Sequence, residues 1–254
     1  MMRSLYTAAS GMMAQKLNID NVSRNLANVG SQGYKATNVN FSDLVYASKG
    51  FAQVGLGVRA DSVQTSFAAG KPQLTNGKLH AYLSDPRAFF VVKLEDNTSA
   101  FIRVGAFTLM YDEIKKKNKL VTRGGIETGI EFSTDVTDIE IKADGKVTGT
   151  SIKEGKEVEL GQLKLAKFLN PSDSLKAIGT DLYVLSGSAG ETKESNPGED
   201  GLPTLATGYL ESSNVNVIEG MMDIMAAQQM FQMNQKVAQV ADEMMKMANQ
   251  IKRA

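Results

Sequence analysis

The feature of this sequence that most restricts its fold is a seven-residue apolar repeat near each end. In residues 4–29 one line of the repeat is Leu5, Met12, Ile19 and Leu26. The adjacent line, three residues on, is Ala8, Gln15, Val22 and Val29. Two such lines predict a helix, about 39 Å long at 1.5 Å per residue, with one face suited to packing along another helix. Gly30 and Gly33 are expected to end it, with Gly30 as the C-terminal cap.

The C-terminal repeat, in residues 216–252, is longer and more apolar. One seam consists of Met230, Met233, Val237, Val240, Met244, Met247 and Ile251. A second line consists of Val217, Ile224, Phe231, Ala238 and Met245. Asn214 or Asn216 is expected to cap the start of this helix. Its apolar arc is too wide for one partner helix, so the sequence predicts either a buried helix or contacts with several neighbouring chains.

The middle of the chain has a different pattern. Of the 13 methionines, only Met110 lies between residues 13 and 221, and apolar residues there alternate with polar ones. The Asp144-Gly145 pair predicts a hairpin within residues 138–148, and residues 156–168 and 181–185 read as strands. Residues 186–203 predict an exposed loop.

The sequence thus predicts an α+β fold in which long, coiled-coil-like N- and C-terminal helices pair and flank a β-rich domain. The predicted boundaries are residues 1–40 and 205–254 for a terminal helical assembly domain and 41–204 for a β-rich outer domain.

Composition argues against several classes of function. The formal net charge is zero, so no basic footprint for nucleic acid is present. The chain has no cysteine, and no run of about 20 apolar residues predicts insertion into lipid. The N-terminal residues lack the continuous apolar core of a cleaved signal peptide. His80, the only histidine, has no partners at a catalytic or metal-binding spacing. We therefore expect no enzyme activity, no metal and no cofactor.

Pairing of the terminal helices leaves one seam of the C-terminal helix uncovered, and an uncovered apolar seam of this length predicts an interaction surface. The expected subunit-interface residues are Leu5, Met12, Ile19, Val22, Leu26, Ile224, Phe231, Val237, Val240 and Met244. The alternative is a monomeric β-rich binding module in which both helices close the protein's own core.

Both ends also carry recognisable motifs. The first helix ends in Asn25-Leu26-Ala27-Asn28, followed by Gly33-Tyr34-Lys35. The C-terminal helix is preceded by Leu210-Glu211-Ser212-Ser213-Asn214-Val215, and the β-rich part contains Phe168-Leu169-Asn170-Pro171. These motifs resemble those of the bacterial flagellar rod and hook family of axial proteins. The resemblance covers most of the chain. It departs from the family in two places: the segment at residues 41–57 is shorter than the one that distal rod members usually carry there, and residues 84–90 lack the family's two glycines.

The resemblance implies a structural role. In that family the terminal helices pair and line a tube, the β-domain faces outward, and subunits leave through the flagellar type III export apparatus without a cleaved signal. We accordingly expect a subunit of the basal-body rod, spanning the periplasm, that polymerises with itself, contacts neighbouring rod and hook proteins and transmits torque from motor to hook. The opening MMRSLYTAASGM is most similar to distal rod members; a proximal rod or hook-like paralogue is the alternative. Contacts with the surrounding bushing rings are left open.

Overall fold

The computed structural model describes residues 2–44, 55–94, 98–113, 116–152, 155–179, 181–186, 194–199 and 201–251. The chain forms two compact units. Unit 1 consists of Met1–Val29, Ala36–Ser66 and Val215–Ala254, and unit 2 consists of Gly30–Lys35 and Phe67–Asn214.

In chain order the elements are α1 (Met2–Ala27), β1 (Thr37–Asp43), β2 (Val58–Thr65), β3 (Pro72–Leu74), β4 (His80–Leu83), β5 (Ala88–Lys93), β6 (Ser99–Ile102), β7 (Gly105–Asp112), β8 (Lys117–Thr122), β9 (Glu127–Ser133), β10 (Val136–Ile141), β11 (Lys146–Ser151), β12 (Glu157–Gln162), β13 (Leu165–Lys167), α2 (Pro171–Ser174), β14 (Leu175–Ala177), β15 (Leu182–Leu185), β16 (Glu194–Ser195), β17 (Leu205–Thr207), β18 (Tyr209–Glu211) and α3 (Val217–Ile251).

The mixed helix and strand content agrees with the predicted fold class, with a long helix near each end. The Asn216 side chain caps α3, because its Oδ1 accepts a hydrogen bond from the Ile218 amide at 3.1 Å. At the end of α1, the Asn28 side chain donates to the Arg24 carbonyl at 2.9 Å. The predicted cap at Gly30 is wrong: Gly33, not Gly30, has a positive φ, of 70°. The chain therefore makes its glycine-dependent turn three residues later than predicted.

In unit 1, α1 and α3 contact each other with their chains antiparallel. A Cβ atom added at Gly11 would lie 2.9 Å from the Asn234 side-chain amide, and one added at Gly220 would lie 3.5 Å from Val22. Advancing along α1 therefore means moving back along α3. Since α3 has 35 residues and α1 has 26, the C-terminal end of α3 extends about 14 Å beyond the start of α1.

Strands β1 and β2 form a two-stranded antiparallel sheet that packs on α1. Gly57, with a φ of 108°, lies against α1 so closely that a Cβ atom there would be 2.2 Å from the Ser10 hydroxyl. This sheet belongs to unit 1, whereas the boundaries drawn from the sequence assign residues 41–66 to the β-rich domain. The difference arises because β1 and β2 pair with each other and dock on a helix.

Unit 2 is built around an antiparallel sheet of eleven strands, whose main path runs β14-β15-β6-β5-β9-β8-β7-β4-β17. Strand β13 belongs to this sheet because it pairs with β5. Strands β10, β11 and β12 form a separate three-stranded sheet. The main core includes Leu83, Phe90, Phe107 and Leu120, each at most 2% exposed. A second cluster packs Phe89, Phe101 and Phe168 edge to face.

The predicted hairpin is confirmed: β10 and β11 are joined by a turn in which Gly145 has a φ of 75°. The strands predicted at 156–168 and 181–185 are present as β12, β13 and β15. The loop predicted at 186–203 is wrong in part, because Leu202 is buried and β16 pairs with β13. Residues 187–193 and 200 of that loop lie outside the described residues.

Candidate assembly surface and its anchoring network

Helix α3 has three chemically different faces, and the face that contacts α1 is lined largely by small side chains. We call this face the helix seam; it consists of Gly220, Ile224, Ala227, Phe231, Asn234, Ala238, Ala241 and Met245, spaced alternately by four and three residues. Ala227 and Ala241 are buried, and the others are half-buried. Small residues let the two helix backbones approach closely, as the tight fit of Gly11 against Asn234 shows.

A second heptad line on α3, shifted by one residue from the helix seam, is exposed. We call it the uncovered stripe; it consists of Met230, Met233, Val237, Val240, Met244, Met247 and Ile251, which are 43 to 78% exposed. From residue 228 onward the third face is polar. Its exposed members are Gln228, Gln229, Gln232, Gln235, Lys236, Gln239, Asp242, Glu243, Lys246, Asn249 and Gln250. The apolar and polar surfaces of this part of α3 are thus cleanly separated.

The residues expected at a subunit interface fall into three groups. Val22 on α1 is buried, and Ile224 and Phe231 lie on the helix seam, so these three pack within the chain. On the flank of α1 a half-buried line is formed by Leu5, Met12, Ile19 and Leu26. The remaining three, Val237, Val240 and Met244, belong to the uncovered stripe.

The Asn-Leu-Ala-Asn motif at the end of α1 fixes the start of β1. The buried Asn25 side chain donates to the Thr37 carbonyl at 2.8 Å and accepts from the Thr37 amide at 3.0 Å. Asn21, one turn earlier, contacts the same residue, because its Oδ1 accepts from the Thr37 hydroxyl at 2.7 Å. The asparagines therefore satisfy both backbone groups of a strand residue, which would otherwise be costly to bury. Leu26 and Asn28 are half-buried, and Ala27 is exposed.

Glu211, from the motif that precedes α3, is the centre of a buried ionic network in unit 2. Its Oε1 lies 2.8 Å from the Lys35 ammonium and 2.6 Å from the Gly70 amide, and its Oε2 lies 2.7 Å from Arg103 Nε. The three charged side chains are only 1 to 2% exposed. The network ties the segment that follows α1 to the segment that precedes α3.

The network holds two cations and one carboxylate, and backbone carbonyls accept other donors of the cations. Lys35 donates to the Ala68 carbonyl at 2.8 Å. Arg103 donates to the Leu83 carbonyl at 2.8 Å and also to the carbonyls of Asp85 and Ala88. Burial lowers the pKa of Lys35, and the nearby Glu211 carboxylate opposes this shift only in part. The excess positive charge makes Glu211 the member whose loss leaves the most charge uncompensated.

The other motif residues next to the network serve backbone geometry. A Cβ atom at Gly33 would lie 2.1 Å from the Val104 side chain, so only glycine fits there, and its amide donates to the Glu211 carbonyl at 2.7 Å. Asn214 donates to the Ala68 carbonyl at 3.1 Å. Leu210 is buried, and Ser213 and Val215 are half-buried. Sequence reasoning missed Arg103 and Asn21, since no local pattern marks either residue.

Within the described residues, no group of three or more histidine, aspartate or glutamate side chains could hold a metal ion. No helix among them is long and apolar enough to cross a membrane. His80 lies on β4, where its Nδ1 is 2.7 Å from the Thr75 hydroxyl. This contact helps to hold the His80 ring in place on β4.

Two family profiles match the chain. The one described as "Flagellar basal body rod FlgEFG protein C-terminal" matches residues 206–251, which contain Glu211 and the whole of α3. The one described as "Flagellar hook protein FlgE/F/G D1 domain" matches residues 85–149, which contain Arg103 and the strands around it.

Full-length relatives decide the family. The flagellar basal-body rod protein FlgG of Borreliella burgdorferi is 34% identical over 271 residues, with 100% of both chains covered. The chain belongs to the FlgG family of flagellar basal-body rod proteins. The FlgG proteins of Caulobacter vibrioides and Bacillus subtilis are 32% and 31% identical, with at least 99% of this chain and 100% of each relative covered. The helix seam, the uncovered stripe and the Glu211 network therefore all lie within the region shared with the FlgG family.

Proposed function

We propose that this chain is a structural subunit of the bacterial flagellar basal-body rod and polymerises through its terminal helices into a tubular axial structure. The uncovered stripe on α3 carries this proposal. It presents seven large apolar side chains in a heptad pattern, which is the pattern of a helix that packs along another helix. The similarity over the full length favours a rod subunit over a hook-like paralogue or a monomeric binding module.

Two roles are assigned to α3 in the proposed assembly. Its helix seam packs on α1 in a coiled-coil-like pair, and its uncovered stripe packs on helices of neighbouring copies. The methionines suit such a contact, because flexible thioether side chains fill irregular gaps. Unit 1 is then the assembly domain, and unit 2 corresponds to the β-rich outer domain.

The remaining expectations belong to the same proposal. The chain acts as a structural part that transmits torque from motor to hook, not as an enzyme. It sits in the basal body, contacts neighbouring rod and hook proteins and leaves through the flagellar type III apparatus without a cleaved signal. The relatives support the location, since they are named as basal-body rod proteins.

A matched pair of substitutions on α3 tests the proposed contact. Val240→Asp places a carboxylate in the uncovered stripe, and Gln239→Asp places one on the neighbouring polar face. Both positions are exposed in the single chain, so the two variants should keep the helix content and thermal unfolding of the parent. In a polymer, Val240→Asp buries an unpaired charge at an apolar contact, which costs roughly several kcal/mol. Only this variant should fail to form ordered polymers.

Electron microscopy of concentrated protein gives the readout, with circular dichroism of dilute protein as the folding control. Ordered tubes from Val240→Asp, or equal loss of tubes in both variants, would show that the uncovered stripe is not the polymer contact.

A further inference from the structure

Strand β7 has an open edge along its second half. Its first residues, Gly105 and Ala106, pair with β4, but the ladder with β4 ends near Leu79. On its other side β7 pairs with β8 as far as Asp112. Among the described residues, none forms a ladder with the outer edge of β7 from Leu109 onward. An open edge of this kind can accept an additional strand.

The backbone groups that face this open edge can be identified. Phe107 donates its N–H to the Leu79 carbonyl, away from β8, whereas Ala106 accepts from the Arg123 amide on the β8 side. Because successive residues of a strand point their backbone groups to opposite sides, those of Leu109 and Tyr111 face the open edge. Two amide donors and two carbonyl acceptors therefore point toward the place that an added strand would take.

The side chains beside the open edge differ between the two faces of the sheet. Leu109 and Tyr111, 45% and 51% exposed, share a face with buried residues of the main core. The opposite face carries Met110 and a charged group of two lysines and three carboxylates with a net charge of about −1: Lys119 pairs with Asp112, Glu127 and Glu131, and Lys117 pairs with Glu131. An incoming strand would thus need apolar residues on one face, and a cation with an apolar residue on the other.

The outer edge of β14 in the same sheet offers backbone groups for such a pairing. Strand β14 is at the end of the sheet and pairs only with β15 among the described strands. The Ile178 amide donates to the Leu182 carbonyl, on the β15 side, so residues 175 and 177 face outward. The Leu175 amide already donates to the Pro171 carbonyl. The Leu175 carbonyl and both backbone groups of Ala177 therefore point to the outside of the sheet.

The side chains of β14 have the character that the β7 edge requires. Lys176 and Ile178 are exposed and lie on one face, which provides one cation and one apolar side chain. Leu175 and Ala177 lie on the other face; Leu175 is buried in the second core cluster, so Ala177 is the apolar side chain exposed there. The two edges are thus complementary in backbone groups, in charge and in apolar surface.

We infer that the open edge of β7 binds the β14 edge of a second copy, so that the sheet continues from one subunit into the next. Lys176 then approaches the carboxylates around Lys119, and Ile178 approaches Met110. Joining two different edges makes a head-to-tail contact, which continues from copy to copy into a ring or an open filament and does not close a symmetric dimer. The inference rests on the proposed polymerisation and adds to it a contact between the β-rich units.

Photo-crosslinking identifies the occupant of the open edge. Benzoylphenylalanine replaces Tyr111 in full-length protein, and polymers are grown from an equal mixture of unlabelled and nitrogen-15-labelled chains before irradiation. Mass spectrometry should find mixed-isotope crosslinks to the peptide that contains residues 175–178. As a control, benzoylphenylalanine replaces Tyr209, another exposed aromatic whose strand β18 already pairs with β3, and this variant should give no such crosslink.

Charge reversal provides a second measurement. Lys176→Glu should lower the yield of the crosslink several-fold, whereas Lys71→Glu, at another exposed lysine of unit 2, should leave it unchanged. Polymers that form normally but give no crosslink between copies, or give it only outside residues 175–178, would overturn the inference and leave the helix-mediated polymerisation standing. Failure to form any polymer with unsubstituted protein would instead contradict the proposed function.

Discussion

Removal of the charge on Glu211 should strongly destabilise unit 2. The carboxylate is 2% exposed and contacts two buried cations, Lys35 and Arg103. Glu211→Gln keeps the size of the side chain but leaves both cations without a counter-charge. Breaking a buried ion pair from one side typically costs about 3–5 kcal/mol. Because domains are stable by about 5–15 kcal/mol, the substitution would remove much of the stability of the unit.

A double-mutant cycle separates the charge effect from the loss of packing. In a Lys35→Met background only Arg103 is left without its counter-charge, so Glu211→Gln should destabilise the protein about half as much there. The expected coupling between the two positions is roughly 1–3 kcal/mol. Glu140→Gln, at an exposed glutamate of the same unit, serves as a matched control and should change stability by less than about 0.5 kcal/mol.

Urea unfolding is suited to this measurement. The chain has no tryptophan, and Tyr183, 6% exposed in unit 2, provides a near-ultraviolet signal that reports on that unit's packing. A destabilisation below about 1 kcal/mol for Glu211→Gln, or the same value in both backgrounds, would refute the assignment of Glu211 as the common counter-charge.

Three further predictions concern the segments around the network. The pKa of Lys35 is lower in the folded chain, so at a pH between that lowered pKa and 10.5 the unfolded chain holds more protons than the folded one. The free energy of unfolding should therefore rise with pH in that range, and urea titrations of Lys35→Met should lack this rise. Gly33→Ala should lower the thermal midpoint, since it strains a φ of 70° and collides with Val104; adding Val104→Ala should recover only the part caused by the collision. Asn25→Ala removes both side-chain bonds to the Thr37 backbone and should speed hydrogen exchange of that amide roughly tenfold or more, as followed by NMR. An unchanged rate would show that the asparagine does not hold β1.

Much of the architecture follows from local patterns. The heptad lines place both long helices within one or two residues of their ends, since the period of the apolar residues is itself a helical property. The Asp144-Gly145 turn placed the hairpin, because few other residues adopt its backbone conformation. The motifs at the two ends also mark Asn25 and Glu211, the residues that hold Thr37 and the two buried cations in the structure.

What the tertiary structure alone decided depends on contacts between distant residues. Apolar periodicity emphasises large side chains, so it could not show that the small residues Gly220, Ala227 and Ala241 line the face of α3 that meets α1. Nor could it place the β1–β2 sheet on α1, because a strand pair can pack on either a sheet or a helix.

The Glu211 network shows most clearly what local sequence patterns do not reveal. The Lys35 ammonium binds a carboxylate 176 positions away, and Arg103 binds the same carboxylate across 108 positions. No pattern within a segment encodes such a pairing, because it exists only when folding brings three segments together at one buried site. The sequence by itself thus determined the two long helices, the hairpin at Asp144-Gly145 and the strands at 156–168 and 181–185, and it showed that α3 has more apolar surface than one partner covers. Only the fold decided which of its faces is used within the chain and which is left for another.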